Sequence, residues 1–164
     1  MFDQIIKLGR KTVVAMVHVP ALPGSPDYDS ATGMNKLLDS VVADLEALQS
    51  GGVDAVMFGN EFDRPYVLTA PPEGLAALAS VIGQVKSMIK IPFGVNYLWD
   101  PVATVALAIA TEASFAREIF TGVYASDMGL WAPDCAGAAR LRSSQGRSDL
   151  QMIFNINAEF ATSL

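Results

Sequence analysis

The stretch IPFGVNYLWDPVATVALAIATEASFAREIF, residues 91–120, reads as one complete β-α-β unit. Its first six residues alternate. Ile91, Phe93 and Val95 form a bulky row that Tyr97 continues, while Pro92, Gly94 and Asn96 form the other row. Successive strand residues point to opposite faces, so the bulky row suits packing against helices and Asn96 falls on the inner row. Asp100-Pro101 then starts a helix: the aspartate can cap the first free N–H groups, and proline lacks the one that would be orphaned. That helix is predicted through about Glu112. A second apolar run opens at Phe115, in FAREIF. Two apolar runs joined by a helix-length crossover indicate parallel strands.

Outward from this unit the pattern repeats. TVVAMVH ends at His18, DAVMFGNE at Glu61 and LQMIFNIN at Asn157. A helix is expected over roughly 35–50, with Leu37, Leu38, Val41, Val42, Leu45 and Leu48 on one face and Gly51-Gly52 as its stop. Further helices are expected over roughly 73–88 and 134–144, and a short one over 2–9. Pro20, Pro23 and Pro26 make the segment after His18 a stiff loop. The alternation indicates a single α/β domain over 1–164 with a parallel sheet. Polar residues gathered at the C-terminal ends of such strands are how a TIM-type (β/α)8 barrel builds a site. Only about five β/α units are present, where a closed barrel has eight.

Composition narrows the class. Of 164 residues, 51% are hydrophobic and 17% charged, which argues for a well-buried globular chain and against disorder. The net charge of −6 comes without any basic stripe, so a nucleic-acid partner is not expected. Cys135 is the sole cysteine, which rules out an intrachain disulfide and fits a reducing compartment. The opening MFDQIIKLGRK is too polar for a signal peptide, and no apolar run approaches the ~20 residues of a membrane span. A cytoplasmic location is expected.

Strand parity places His18, Glu61, Asn96, Asn155 and Asn157 on the inner row; of Arg117 and Glu118, which lie on opposite faces, parity does not say which turns in. One imidazole and one carboxylate suit general acid–base work, with His18, Glu61, Arg117 and Glu118 as candidate catalytic groups. Asn60, Asn96, Asp127, Asn155 and Asn157 are candidate substrate-binding groups, since carboxamides both donate and accept and suit hydroxyl-rich ligands. An inward arginine would suit phosphate or carboxylate. Each also has a structural reading: His18 and the asparagines as partners of strand-end backbone, Arg117 and Glu118 as partners of each other, Asp63-Arg64 as a surface pair, Asp100 as a cap. Residues 121–133 are expected to be a long loop in which Tyr124 and Trp131 either stack on a ligand or pack the loop down. His18 is the sole histidine, so a multi-histidine metal site is excluded. An oxygen-ligand site from Glu61, Glu118 and Asp127 has no specific spacing, and no metal is assigned. No P-loop, G-x-G-x-x-G, H-E-x-x-H or G-x-S-x-G occurs, and the cofactor is unknown.

The stretches VHVPALPGSP, GNEFDRPY, IPFGVNYLWDP, FAREIFTGVYASDMGLW and FNINAEFA resemble the BtpA/SgcQ family, most closely its SgcQ-like branch. The resemblance covers nearly the whole chain and implies a (β/α)8 barrel. It implies no known reaction: the founding member is associated with photosystem I biogenesis and the SgcQ-like branch with a carbohydrate-uptake gene cluster. The family's motif positions fall here on His18, Asn60, Glu61, Asp63, Asn96, Asp100, Arg117, Glu118, Asp127 and Glu159. Against that family the chain reads as truncated, with strands 6–8 absent. Three expectations follow. The first is an enzyme of carbohydrate, phosphosugar or nucleoside metabolism acting on a small polar ligand. The second is a non-catalytic assembly factor that uses the aromatic loop as a partner surface. The third is an incomplete, inactive barrel that either forms homo-oligomers through its exposed sheet edges or is unstable.

Overall fold

The computed structural model describes residues 9–164, so most of the helix expected over 2–9 lies outside the described residues. The five apolar runs form five parallel strands: β1 (Val14–His18), β2 (Ala55–Gly59), β3 (Phe93–Asn96), β4 (Phe115–Glu118) and β7 (Gln151–Phe154). Their order in the sheet is β1-β2-β3-β4-β7, the order of the chain. The crossovers carry α1 (Gly33–Ser50), α2 (Pro72–Val85), α3 (Pro101–Thr111) and α4 (Cys135–Ser144). Successive helices touch one another, α1 with α2, α2 with α3 and α3 with α4. This singly wound arrangement is five-eighths of a (β/α)8 wall, with an α/β architecture as expected.

The two faces of the sheet are chemically distinct. Val17, Val56, Phe58, Phe93, Val95 and Ala116 join the main core, together with Leu37, Val41 and Leu45 of α1 and Leu78, Val81 and Ile82 of α2. The opposite rows form a thin separate cluster of Ala55, Met57 and Phe115, flanked by Met16 and Ile153. That second face is the barrel interior. Gly94 sits opposite Phe115, and a Cβ at residue 94 would lie 2.1 Å from the Phe115 ring, so only glycine admits that ring over β3.

The helix boundaries follow local chemistry. Asp100 accepts hydrogen bonds from the N–H groups of Val102 (3.0 Å) and Ala103 (2.9 Å), capping α3. Gly51 N–H returns to Ala47 O at 2.9 Å, and Gly52 holds φ 77, which explains the glycine pair after α1. α2 stops at Val85 and a tighter 3-10 turn occupies Lys86–Met88, so the helix expected to 88 is in two parts.

Two expectations are corrected. The last run does not stay in the sheet to Asn157: pairing stops at Phe154, because β7 has only β4 beside it and the chain then turns across the strand ends. Residues 121–133 are not an irregular loop. They hold the hairpin β5 (Tyr124–Ser126) and β6 (Gly129–Trp131), and β8 (Thr162–Ser163) pairs with β5 to make a small antiparallel sheet. Beneath it lies a satellite core of Trp99, Ile119, Tyr124, Trp131 and Ala158. Trp99, Ile119 and Ala158 each follow the C-terminal end of a parallel strand, so this second sheet roofs the barrel mouth.

Candidate functional site

At the top of the inner row, His18, Gly59 and Asn96 stand in register across β1, β2 and β3. Arg117 shares the row of Phe115, the inner one, and pairs with Ile153 of β7. The ambiguity at β4 is thereby resolved: Arg117 turns in. Glu118 falls on the helix-facing row, yet it is 1% exposed and tied to Asn96. Asn96 Nδ2 donates to Glu118 Oε2 (2.6 Å) and to Arg117 O (2.7 Å), and Ile119 N–H donates to Glu118 Oε1 (2.7 Å). Burial pushes the Glu118 carboxyl up to about 8, against the pull of those hydrogen bonds and of Arg117. Glu118 is thus a buried acid that braces two strand ends.

The loop after β2 divides its polar residues between structure and site. Asn60 is buried; its Oδ1 accepts from Leu98 N–H at 2.7 Å, and its Nδ2 donates to Leu98 O (3.5 Å) and to Asp63 (3.4 Å). Asp63 in turn accepts from Leu22 N–H (3.2 Å) and the Tyr97 hydroxyl (3.4 Å). These two residues clasp the loops after β1 and β3 and leave Asn60 no free amide group for a ligand. Glu61 differs. Among the described residues its carboxylate accepts from the Tyr66 hydroxyl at 3.2 Å, with Arg64 at 4.0 Å, and its side chain is 30% exposed. The Tyr66 hydroxyl also donates to Glu61 O at 2.8 Å, which holds the turn in place.

Glu61, Tyr66, Trp99, Arg117, Asn155 and Glu159 line one narrow cavity of about 40 Å³ at the strand ends. It adjoins a wider cleft of about 580 Å³ between Arg64, Tyr66, Trp99, Asp127, Met128 and Phe160. Tyr66, Trp99 and Phe160 belong to both. Among the described residues, two buried side-chain polar atoms have no hydrogen-bond partner, Trp99 Nε1 and Asn155 Oδ1, and both residues line the narrow cavity. An orphaned buried polar atom is costly, commonly by ~1–3 kcal/mol, and calls for an explanation.

Other candidates fall elsewhere. His18 meets Phe62 edge-on at 5.7 Å and lines neither space, and Asn157 is exposed. Asp127 is exposed on the wide cleft. Tyr124 and Trp131 pack the hairpin down, 3% and 7% exposed, with ring centroids 4.7 Å apart. They are not an aromatic partner surface. Among the described residues no three His, Cys, Asp or Glu side chains converge to hold a metal ion, so Glu61, Glu118 and Asp127 are not brought together. No helix among them is long and apolar enough to cross a membrane. Sequence reasoning overlooked Tyr66, Trp99 and Phe160 as site residues. Trp99 carried a usable signal, a large aromatic in a strand-end loop just before a cap. Phe160 carried none, because its place depends on the turn after β7 and a left-handed φ of 60.

Residues 9–164 match the BtpA family. The chain is 53% identical to the putative sgc region protein SgcQ of Escherichia coli K12, over 94% of this chain and 58% of that protein. It is 33% identical to an uncharacterized protein of Pyrococcus abyssi, over 94% of this chain and 60% of that protein. It is 29% identical to the photosystem I biogenesis protein BtpA of Synechocystis, over 72% of this chain and 42% of that protein. The chain therefore spans about three-fifths of the length of the first two of these relatives. Among solved structures, the dihydropteroate synthase of Vibrio fischeri superposes with a TM-score of 0.62 at 13% identity, over 94% of this chain and 48% of that one. That of Yersinia pestis gives 0.61 at 16%, over 93% and 48%. What the synthases share with this chain is the fold.

Proposed function

This chain belongs to the BtpA family, and on that premise we propose that the barrel mouth is an enzyme site for a small polar metabolite of the sugar or nucleoside class, worked by acid–base chemistry. The observation that carries the reading is the convergence of Glu61, Arg117 and Asn155, from the ends of three different parallel strands, on one cavity. Chemistry assembled from several strand ends is the way barrel enzymes are built. Glu61 is the acid–base group, since it is partly exposed to the cavity and its carboxylate is oriented by the Tyr66 hydroxyl. The Arg117 backbone carbonyl is held by Asn96, while its guanidinium lines the cavity, available to polarise a ligand oxygen. Asn155 orients a hydroxyl. Glu118 and Asn96 are positioning residues behind Arg117. The sugar class comes from the resemblance to the SgcQ-like branch.

The test is a turnover screen of sugars, phosphosugars and nucleosides, run on this protein and on its longer E. coli relative with the matching substitutions. Glu61→Gln should lower kcat by about 100-fold or more, the usual weight of a positioned acid–base group. Unchanged kcat would remove Glu61 from the chemistry. The assembly-factor reading has less support, because the aromatic residues it needed on the surface are buried under the hairpin.

A further inference from the structure

The charges and orphaned atoms of the mouth bear on what part of a ligand enters it. The narrow cavity carries two carboxylates, Glu61 and Glu159, against the single guanidinium of Arg117. Two carboxylates face one guanidinium inside it, with Arg64 of the adjoining cleft 4.0 Å from Glu61, so a phosphate in the narrow cavity itself would meet both carboxylates beside Arg117. The orphaned atoms are one of each kind: Trp99 Nε1–H can only donate, and Asn155 Oδ1 accepts. A hydroxyl, which both accepts and donates, suits residues that offer one of each, whereas a phosphate dianion cannot donate. The cavity is also small. About 40 Å³ admits one or two hydroxyls and not a whole ring, since a single water needs ~10–15 Å³ by the same measure.

The adjoining cleft of about 580 Å³ has the size of a small-molecule site and an aromatic lining. Phe160 is 75% exposed on its rim, and its backbone holds φ 60, a conformation that costs a non-glycine residue ~1–2 kcal/mol. Across the cleft lies Tyr66, its ring under the Arg64 guanidinium at 5.7 Å. Rings of this kind receive the flat or apolar face of a sugar or base.

Resting on the acid–base reading above, we propose that the site takes an unphosphorylated ring bearing neighbouring hydroxyls, with the hydroxyl edge in the narrow cavity and the ring against Tyr66 and Phe160. Phosphorylated forms are rejected by Glu61 and Glu159. A free pentose and a nucleoside share this chemistry, and the test separates them.

Binding of ribose, adenosine, ribose 5-phosphate and adenosine 5′-monophosphate is to be measured by calorimetry and by saturation-transfer nuclear magnetic resonance at millimolar concentration. The neutral member of each pair should bind at least about tenfold more tightly than its phosphate, a difference of ~1.4 kcal/mol. Adenosine binding more tightly than ribose would assign the cleft to the base, and equal binding would assign it to the sugar face. Trp99→Phe keeps an aromatic side chain, though a smaller one, and removes the donor, and should weaken neutral ligands several-fold. Glu159→Gln, at an exposed position that does not threaten folding, should narrow the gap between neutral and phosphorylated forms. A phosphate that binds as tightly as its neutral partner, or no binding by any of the four, overturns the inference. If a phosphosugar is turned over in a Glu61-dependent way, the acid–base reading stands and only this inference falls.

Discussion

Glu118 is the residue at which physical chemistry makes the firmest demand. A carboxyl 1% exposed, braced by Asn96 and the Ile119 N–H, has its titration raised from 4.5 in the open chain to about 8 in the fold. The folded state therefore holds the proton more tightly than the unfolded one. Its contribution to stability is complete below about 4.5 and is lost as pH rises through about 8. The carboxylates of Asp29, Glu112 and Asp149 are shifted the other way by Thr32 and Lys36, by Lys86 and by Arg147. Their contributions are lost only as pH falls below the ordinary carboxylate range, so the two windows do not overlap. Urea midpoints between about pH 5 and pH 8 should decline for the native chain and stay nearly level for Glu118→Gln. At the acidic end the variant should be less stable by ~1–3 kcal/mol, because the amide NH2 accepts from neither N–H, whereas the protonated carboxyl keeps acceptor capacity on both oxygens. An equal slope in both proteins would show that Glu118 keeps its charge when buried. Strand parity put Glu61 and Asn155 on the inner row, and both line the narrow cavity although they lie just past the ends of β2 and β7. The bond from Asn96 to Glu118 was not legible, because parity puts those residues on opposite faces and only the approach of two strand ends joins them. Asn60 was misleading for a related reason: a carboxamide at a strand end serves a neighbouring loop as readily as a ligand.

Among the elements, the contact of β3 with β4 turns on a single missing side chain. The Phe115 ring lies where a Cβ of residue 94 would be, at 2.1 Å, and Phe115 with Met57 and Ala55 fills the interior face. Gly94→Ala forces the ring into a packed layer and should cost ~1–3 kcal/mol or more. The double variant Gly94→Ala/Phe115→Leu should recover part of that loss, since residues in direct contact couple non-additively. Denaturant midpoints of the two single variants and the double complete the cycle, and simple additivity would refute the contact. The parallel elements were readable because each carries a strong local signal: Asp100-Pro101 opens α3, Gly51-Gly52 closes α1, and the bulky rows mark the helix-facing side. The hairpin of β5 and β6 carried no such signal. Its strands are three residues each, too short for alternation to register, and they gain their burial from Trp99 and Ala158, which lie far away in sequence.

At the level of the molecule, an open wall of five parallel strands has two unpaired edges. Among the described residues, β1 is bonded only to β2, and β7 only to β4. Both edges carry apolar surface: Val14 is 40% exposed on one, and Phe154 is 45% exposed on the other, where it packs against Phe120 at 4.9 Å. Ile156, just beyond, is fully exposed. Neither strand carries a lysine or a proline, two of the residues that protect natural edges. We predict that the 164-residue chain pairs with another copy through these backbone edges. Sedimentation velocity over a range of concentrations should show the chain as a dimer or larger species in mass-action balance with monomer. Phe154→Lys adds a charge on the β7 edge at a position already half open to water, and should shift that balance to monomer while leaving the thermal midpoint within a few degrees. A native chain that sediments as monomer at every concentration would mean that the edges are shielded by means other than self-association. A Phe154→Lys protein that associates as strongly as the native one would move the contact to β1.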